Sequence, residues 1–156
     1  MTTSEKGLNL IKESEGFRSE AYIDPTGTPT IGYGTTRIKG QPVKLGMTCT
    51  KEEAETYLKN DLAEFEKAVN LFVKVELSQN QFDAIMSLVY NIGIGAFKRS
   101  TLLKKINSND LVATEWMKWV YSKGKRLPGL VERREKELSL YFENLTATPR
   151  GLDIIP

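Results

Sequence analysis

The chain has 156 residues, 40% hydrophobic and 27% charged, with a formal net charge of +2. That length suffices for one domain or two small lobes around a buried core, and no apolar run approaches the ~18 residues that read as a membrane span. A single cysteine, Cys49, excludes an intramolecular disulfide, and the lack of histidine excludes Ser-His and Cys-His catalysis and argues against zinc, so any chemistry falls to carboxylates, hydroxyls, Lys, Tyr or Arg.

In chain order, the first predicted helix is capped by Ser4, turns Leu8 and Ile11 inward, and ends at Glu15 with Gly16 just beyond. The N-terminal stretch MTTSEKGLNLIKESEG has neither the basic start nor the apolar core of a secretion signal, which points to synthesis in the cytoplasm. The period then changes. FRSEAYI and TPTIGYG read as short strands around Asp24-Pro25-Thr26-Gly27, a sequence suited to a type I turn. Residues 35–49 read as a loop, with Cys49 a small semi-buried residue at its end. Thr50 and Glu53 form a capping-box pattern ahead of a long helix with Ala54, Leu58, Leu62, Phe65, Val69 and Phe72 on its inner face.

Ser78 and Gln81 form a second capping-box pattern, opening a helix with Phe82, Ile85, Met86, Val89 and Tyr90 inward and an end near Gly93. Helices are expected over 100–107 and 109–121, and a last one from Pro128 to about Glu143. The tail 145–156 reads as irregular. The expected fold is therefore α+β and predominantly helical. A small β-hairpin lobe covers about 14–58, and a larger helical lobe covers 1–13 and 59–144. Two lobes leave a cleft, where ligands bind.

Glu15, Asp24 and Thr30 are the candidate chemical groups. Singly, each has an ordinary explanation: an exposed helix-end charge, a turn residue and a β-branched strand residue. Together they place two carboxyls and a hydroxyl within 16 residues, and a carboxyl pair is the minimum set for glycoside hydrolysis. The negative end of the helix dipole favours the protonated form of Glu15, the form a general acid needs. Residues 98–134 hold ten Lys/Arg against three acids, which suits either a solvated face or attraction to a polyanion.

The spacing Glu15, Asp24, Thr30 within EGFRSEAYIDPTGTPTIGYG resembles the phage-type lysozymes, the endolysins of glycoside hydrolase family 24. LSQNQFDAIMSLVYNIGIGAFKRSTLLKKIN (77–107) and GLVERREKE (129–137) resemble that family's second lobe and closing helix, so the likeness covers roughly residues 5–143. The resemblance implies a lysozyme-like two-lobe fold and hydrolysis of the β-1,4 bond between N-acetylmuramic acid and N-acetylglucosamine in peptidoglycan. It makes Glu15 the general acid, Asp24 the base that activates water and Thr30 a holder of that water, an arrangement that favours inversion. It points to Thr36, Tyr90, Ser100 and Glu115 as substrate contacts, although Tyr90 also suits a core and Ser100 an N-cap; Asn91, beside Tyr90 in the helix ending near Gly93, is a further candidate. The resemblance calls for no cofactor and no metal.

Of Arg133 and Arg134, one is expected to pair with a first-lobe acid and the other to face solvent. Where many relatives carry His after IGYG, this chain has Thr35. The implied partners are peptidoglycan glycan strands and the anionic cell envelope. The implied life cycle is that of a monomer held in the host cytoplasm until a holin opens the membrane, then acting at the cell wall. A non-catalytic wall-binding protein and a lytic transglycosylase are the competing readings. No nucleic-acid-binding motif accompanies the basic stretch, so nucleic acid is not an expected partner.

Overall fold

Helices α1 (Glu5–Glu15), α2 (Lys51–Phe72), α3 (Gln79–Ile92), α4 (Ile94–Lys98), α5 (Thr101–Asn107), α6 (Ala113–Trp116) and α7 (Pro128–Phe142) dominate the chain. Among the described residues, three antiparallel two-stranded sheets pair β1 (Arg18–Ile23) with β2 (Pro29–Gly32), β3 (Arg37–Ile38) with β4 (Gln41–Pro42), and β5 (Tyr121–Ser122) with β6 (Lys125–Arg126). The class is α+β and mainly helical, as the sequence predicts. This computed structural model describes residues 1–144, so the tail expected to be irregular, 145–156, lies outside the described residues. The chain divides into two units, Ile11–Glu64 and Met1–Leu10 together with the chain from Phe65 on, with boundaries inside α1 and α2.

Both capping boxes form. Thr50 accepts from the Glu53 N–H at 3.1 Å while the Glu53 carboxylate accepts from the Thr50 N–H at 2.9 Å. Ser78 and Gln81 do the same at the start of α3. Such reciprocal caps satisfy the orphan N–H groups of a first helical turn. Ser4 is held from outside its own helix. The buried Asp83 carboxylate accepts from the Ser4 N–H at 3.0 Å and from its hydroxyl, placing negative charge at the positive end of α1. Pro128 opens α7 with φ already suited to the first helical position.

In the unit Ile11–Glu64, Ile11, Ile31, Tyr33, Val43, Ala54, Leu58 and Leu62 are buried. In the other unit α3 is the central element. Every residue from Gln81 to Val89 is buried, and α3 packs mainly against α7. Phe65, Phe72 and Tyr90, expected on inner faces, are only half-buried.

Three segments depart from expectation. The loop 35–49 contains the β3–β4 hairpin, and the helix expected over 109–121 shrinks to α6 and gives way to the β5–β6 hairpin. Both hairpins turn on a Lys-Gly pair with positive φ at both residues: 51° and 79° at Lys39 and Gly40, and the same at Lys123 and Gly124. That is the type I′ geometry, which sequence normally announces with Asn-Gly or Asp-Gly rather than Lys-Gly. The third departure is α4, which restarts after Gly93 (φ 95°) and buries Phe97 in a stretch whose glycines read as a helix end.

Candidate active site

Glu15 is the last residue of α1 and is half-buried. The Gly16 N–H closes the helix on the Lys12 carbonyl at 2.9 Å, and the chain turns at once into β1. β1 is held along both edges. It pairs with β2 (Tyr22 opposite Thr30, Ile23 opposite Pro29), with a bulge between Arg18 and Tyr22. Across the bulge, the Ala21 N–H donates to the Met47 carbonyl and the Cys49 N–H to the Ser19 carbonyl, each at 2.9 Å. The turn that follows is therefore carried on an anchored strand.

In that turn the Gly27 N–H donates to the Asp24 carbonyl at 2.9 Å, which closes the predicted β-turn. Gly27 sits at φ 88°, the left-handed residue that a three-residue hairpin loop needs after a type I turn. The Asp24 side chain takes three donors on one oxygen. Oδ1 accepts from the Thr26 N–H (2.9 Å), the Thr26 hydroxyl (2.7 Å) and the Thr28 N–H (2.9 Å). Oδ2 takes no donor from the described residues. The Thr26 hydroxyl foremost, then the Thr28 amide, hold the Asp24 carboxyl below the ordinary aspartate range, because these donors favour the ionised form.

Thr30 lies on β2, 3% exposed, and its hydroxyl donates to the Thr28 carbonyl at 2.9 Å. The same carbonyl accepts from the Asp24 N–H at 3.0 Å. Asp24 and Thr30 are thus fastened to one peptide group. Thr26 and Thr28 escaped the sequence reading, although Asp-x-Thr-x-Thr is a pattern in which each hydroxyl falls two residues from the next polar group.

Other candidates fall into distinct local settings. Thr36 is half-buried beside Thr35, and its carbonyl accepts from the Val43 N–H at 2.9 Å. Thr35 is buried and donates to Asp61 Oδ2 at 2.7 Å. Burial pushes the Asp61 carboxyl up to about 6, against the Thr35 hydrogen bond. Tyr90, Asn91, Ser100 and Glu115 belong to the other unit. Tyr90 packs edge-on against Phe65, with ring centroids 5.3 Å apart. The Ser100 hydroxyl donates to the Phe97 carbonyl and accepts from the Leu103 N–H, so it serves as the N-cap of α5. Glu115 pairs with Lys118 at 2.8 Å.

Asn91, an exposed residue, accepts from Arg134 at 2.7 Å. The expectation that one of Arg133 and Arg134 faces solvent is corrected, since they are 7% and 0% exposed. Both lie against the fully buried Glu137, which also accepts from Ser87 (2.6 Å) and Trp116 (3.0 Å). Burial pushes the Glu137 carboxyl up, and Arg134, Ser87, Arg133 and Trp116 pull against it.

The unit Ile11–Glu64 thus holds a carboxylate with one oxygen that takes no donor from the described residues, a threonine tied to the same peptide and, at a helix end, a second carboxyl. The sequence matches the phage lysozyme family over residues 12–137. It is 48% identical over 147 residues to an endolysin from Acyrthosiphon pisum secondary endosymbiont phage 1, covering 90% of this chain and 98% of that one. The structure superposes on an endolysin from the Escherichia coli O157:H7 phage FAHEc1 with a TM-score of 0.84 at 45% identity, over 95% and 98% of the two chains. It superposes on the muramidase domain of SpmX from Asticaccaulis excentricus with a TM-score of 0.78 at 36% identity, over 90% and 97%. The chain belongs to the phage lysozyme family, and the expected lysozyme-like fold and glycosidase class are borne out.

Proposed function

We propose that this lysozyme is an endolysin cleaving the β-1,4 bond between N-acetylmuramic acid and N-acetylglucosamine in peptidoglycan, with Glu15 as general acid and Asp24 as general base. The observation that carries the reading is the proton inventory around the Thr28 peptide. A threonine hydroxyl has one proton, and that of Thr30 goes to the Thr28 carbonyl, so toward a water Thr30 is an acceptor. Asp24, held ionised, is an acceptor through Oδ2. A water that donates one proton to each turns a lone pair outward as the nucleophile.

In the reaction Glu15 gives its proton to the glycosidic oxygen as the C1–O bond breaks. The water oxygen bonds to C1, and its proton passes to Asp24. One displacement inverts the anomeric carbon. Thr36, Tyr90, Asn91 and Glu115 are proposed as substrate contacts. Ser100 acts at one remove by fixing the start of α5. The exposed cations Lys123, Lys125 and Arg126 favour approach to an anionic envelope, an attraction that salt weakens. The protein works as a monomer, reaches the wall when a holin opens the host membrane, and lyses the cell.

The test is turbidity loss of outer-membrane-permeabilised Gram-negative cells by wild type and Glu15→Gln, with soluble fragments identified by mass spectrometry. Clearing by wild type alone, with reducing muramic ends, is expected. Clearing by both proteins would remove Glu15 from its role. Anhydro-muramic products would mean transglycosylation.

A further inference from the structure

The β1–β2 turn contains hydroxyls that the turn itself does not need, and that of Thr26 reaches the Asp24 carboxylate. Pro25 sets φ at the second turn position, Gly27 supplies the left-handed residue, and the Gly27 N–H closes the ring on the Asp24 carbonyl. The Thr26 side chain contributes nothing to that backbone circuit. Its hydroxyl meets only the Asp24 carboxylate, at 2.7 Å, and the Thr28 hydroxyl, at 3.1 Å. An ionised carboxylate has no proton to give, so the Thr26 proton must be donated to Asp24. Thr26 then has only lone pairs for Thr28, and the Thr28 hydroxyl must donate to Thr26. Donors run one way, Thr28 to Thr26 to Asp24, and a chain so directed strengthens its last bond.

We propose that Thr26, backed by the Thr28 hydroxyl, is a positioning residue for the hydrolytic step, anchoring Asp24 by Oδ1 so that Oδ2 alone faces the attacking water. This rests on the reading of Asp24 as the base. Without the hydroxyl, Oδ1 retains two backbone donors, so the turn persists while the carboxylate gains freedom to rotate and a stronger hold on protons. A general base must be ionised to act, so the acid limb of the pH–rate profile marks the point at which Asp24 takes up a proton. The Thr26 hydrogen bond holds that limb low.

The experiment compares wild type, Thr26→Val, Thr26→Ser and Asp24→Asn on purified peptidoglycan, with kcat, KM, the pH–rate profile and Tm for each. Thr26→Val should lower kcat about tenfold, the lower end of what a hydrogen bond to a charged group contributes. KM should stay put, the acid limb should move to higher pH, and Thr26→Ser should restore both. A second measurement follows the Asp24 carboxyl by 13C NMR in the Glu15→Gln background, where Thr26→Val should raise its titration midpoint. If Asp24→Asn is inactive while Thr26→Val matches wild type in kcat, acid limb and midpoint, the inference is overturned and the base assignment stands. If Thr26→Val loses activity and Tm together with the limb and midpoint unmoved, Thr26 is only a turn residue and the inference is again overturned. If Asp24→Asn remains active, the base assignment itself has failed and takes the inference with it.

Discussion

The turn at Asp24 and the buried cluster at Glu137 solve the same problem, a carboxylate met by several donors, in opposite ways. Asp24 meets neutral donors at the surface, and they converge on Oδ1. Glu137 meets two guanidiniums, a serine and an indole in the interior, and both its oxygens are taken: Oε1 by Trp116 and Arg134, Oε2 by Ser87 and Arg133. The first arrangement lowers proton affinity and leaves an oxygen for chemistry. The second leaves nothing open, and its burial raises proton affinity. Donor count therefore does not separate the proposed general base from a structural carboxylate. The distribution of donors between the two oxygens does. Asp61 stands between them, partly buried, with one hydroxyl donor and no ion pair among the described residues.

The largest effect should separate the two regions by activity. Asp24→Asn should cost about 10²–10⁴ in rate with little change in stability, the range for loss of a general base. Near-wild-type turnover in steady-state assays on peptidoglycan would break the comparison at its first member.

Glu137→Gln should do the reverse. Taking the negative charge from beside two buried guanidiniums should destabilise the protein by about 3–5 kcal/mol, read from urea unfolding at neutral pH. A loss below about 1 kcal/mol would mean that the cluster is not held by its charge.

The backbone that carries the turn has its own sensitivity. Gly32, opposite Arg18, sits at φ 67°, and an added Cβ would lie 3.0 Å from the Ala54 Cβ. Gly32→Ala should cost about 1–3 kcal/mol through strain and overpacking. An unchanged Tm would show that β2 and α2 can separate without penalty.

The smallest effect sharpens the middle case. Asp61 has a folded-state value raised to about 6 from an ordinary 3.8, so the folded state favours its proton. That contribution to stability is complete below the unfolded value and is lost as pH rises through about 6. Asp61→Asn should flatten the fall in stability between about pH 4 and 6 and leave the protein relatively more stable at pH 7. Parallel curves for the two proteins would exclude Asp61 as the source.

Much of this was legible in the chain itself. Capping boxes at Thr50 and Ser78, Pro128 at a helix start and the Asp-Pro-Thr-Gly turn are local devices, and local chemistry is enough to form them. The spacing of Glu15, Asp24 and Thr30 carried the family likeness for the same reason, since all three lie on consecutive elements. The Lys-Gly hairpins hid because their turns use an uncommon residue and their strands bury no alternating face, leaving no period to read.

Tertiary structure alone decided the rest. In sequence, one of Arg133 and Arg134 reads as facing solvent. Ser87, four positions from Asn91 on another helix, and Trp116 draw them with Glu137 out of water. Thr35 reads only as a departure from the His of many relatives until Asp61, 26 residues on, accepts its hydroxyl. Nearest-neighbour chemistry fixes caps and turns because their partners lie within a few residues. Whether a charge is buried, and which oxygen of a carboxylate stays open, depends on groups that only the packed fold brings within hydrogen-bonding distance.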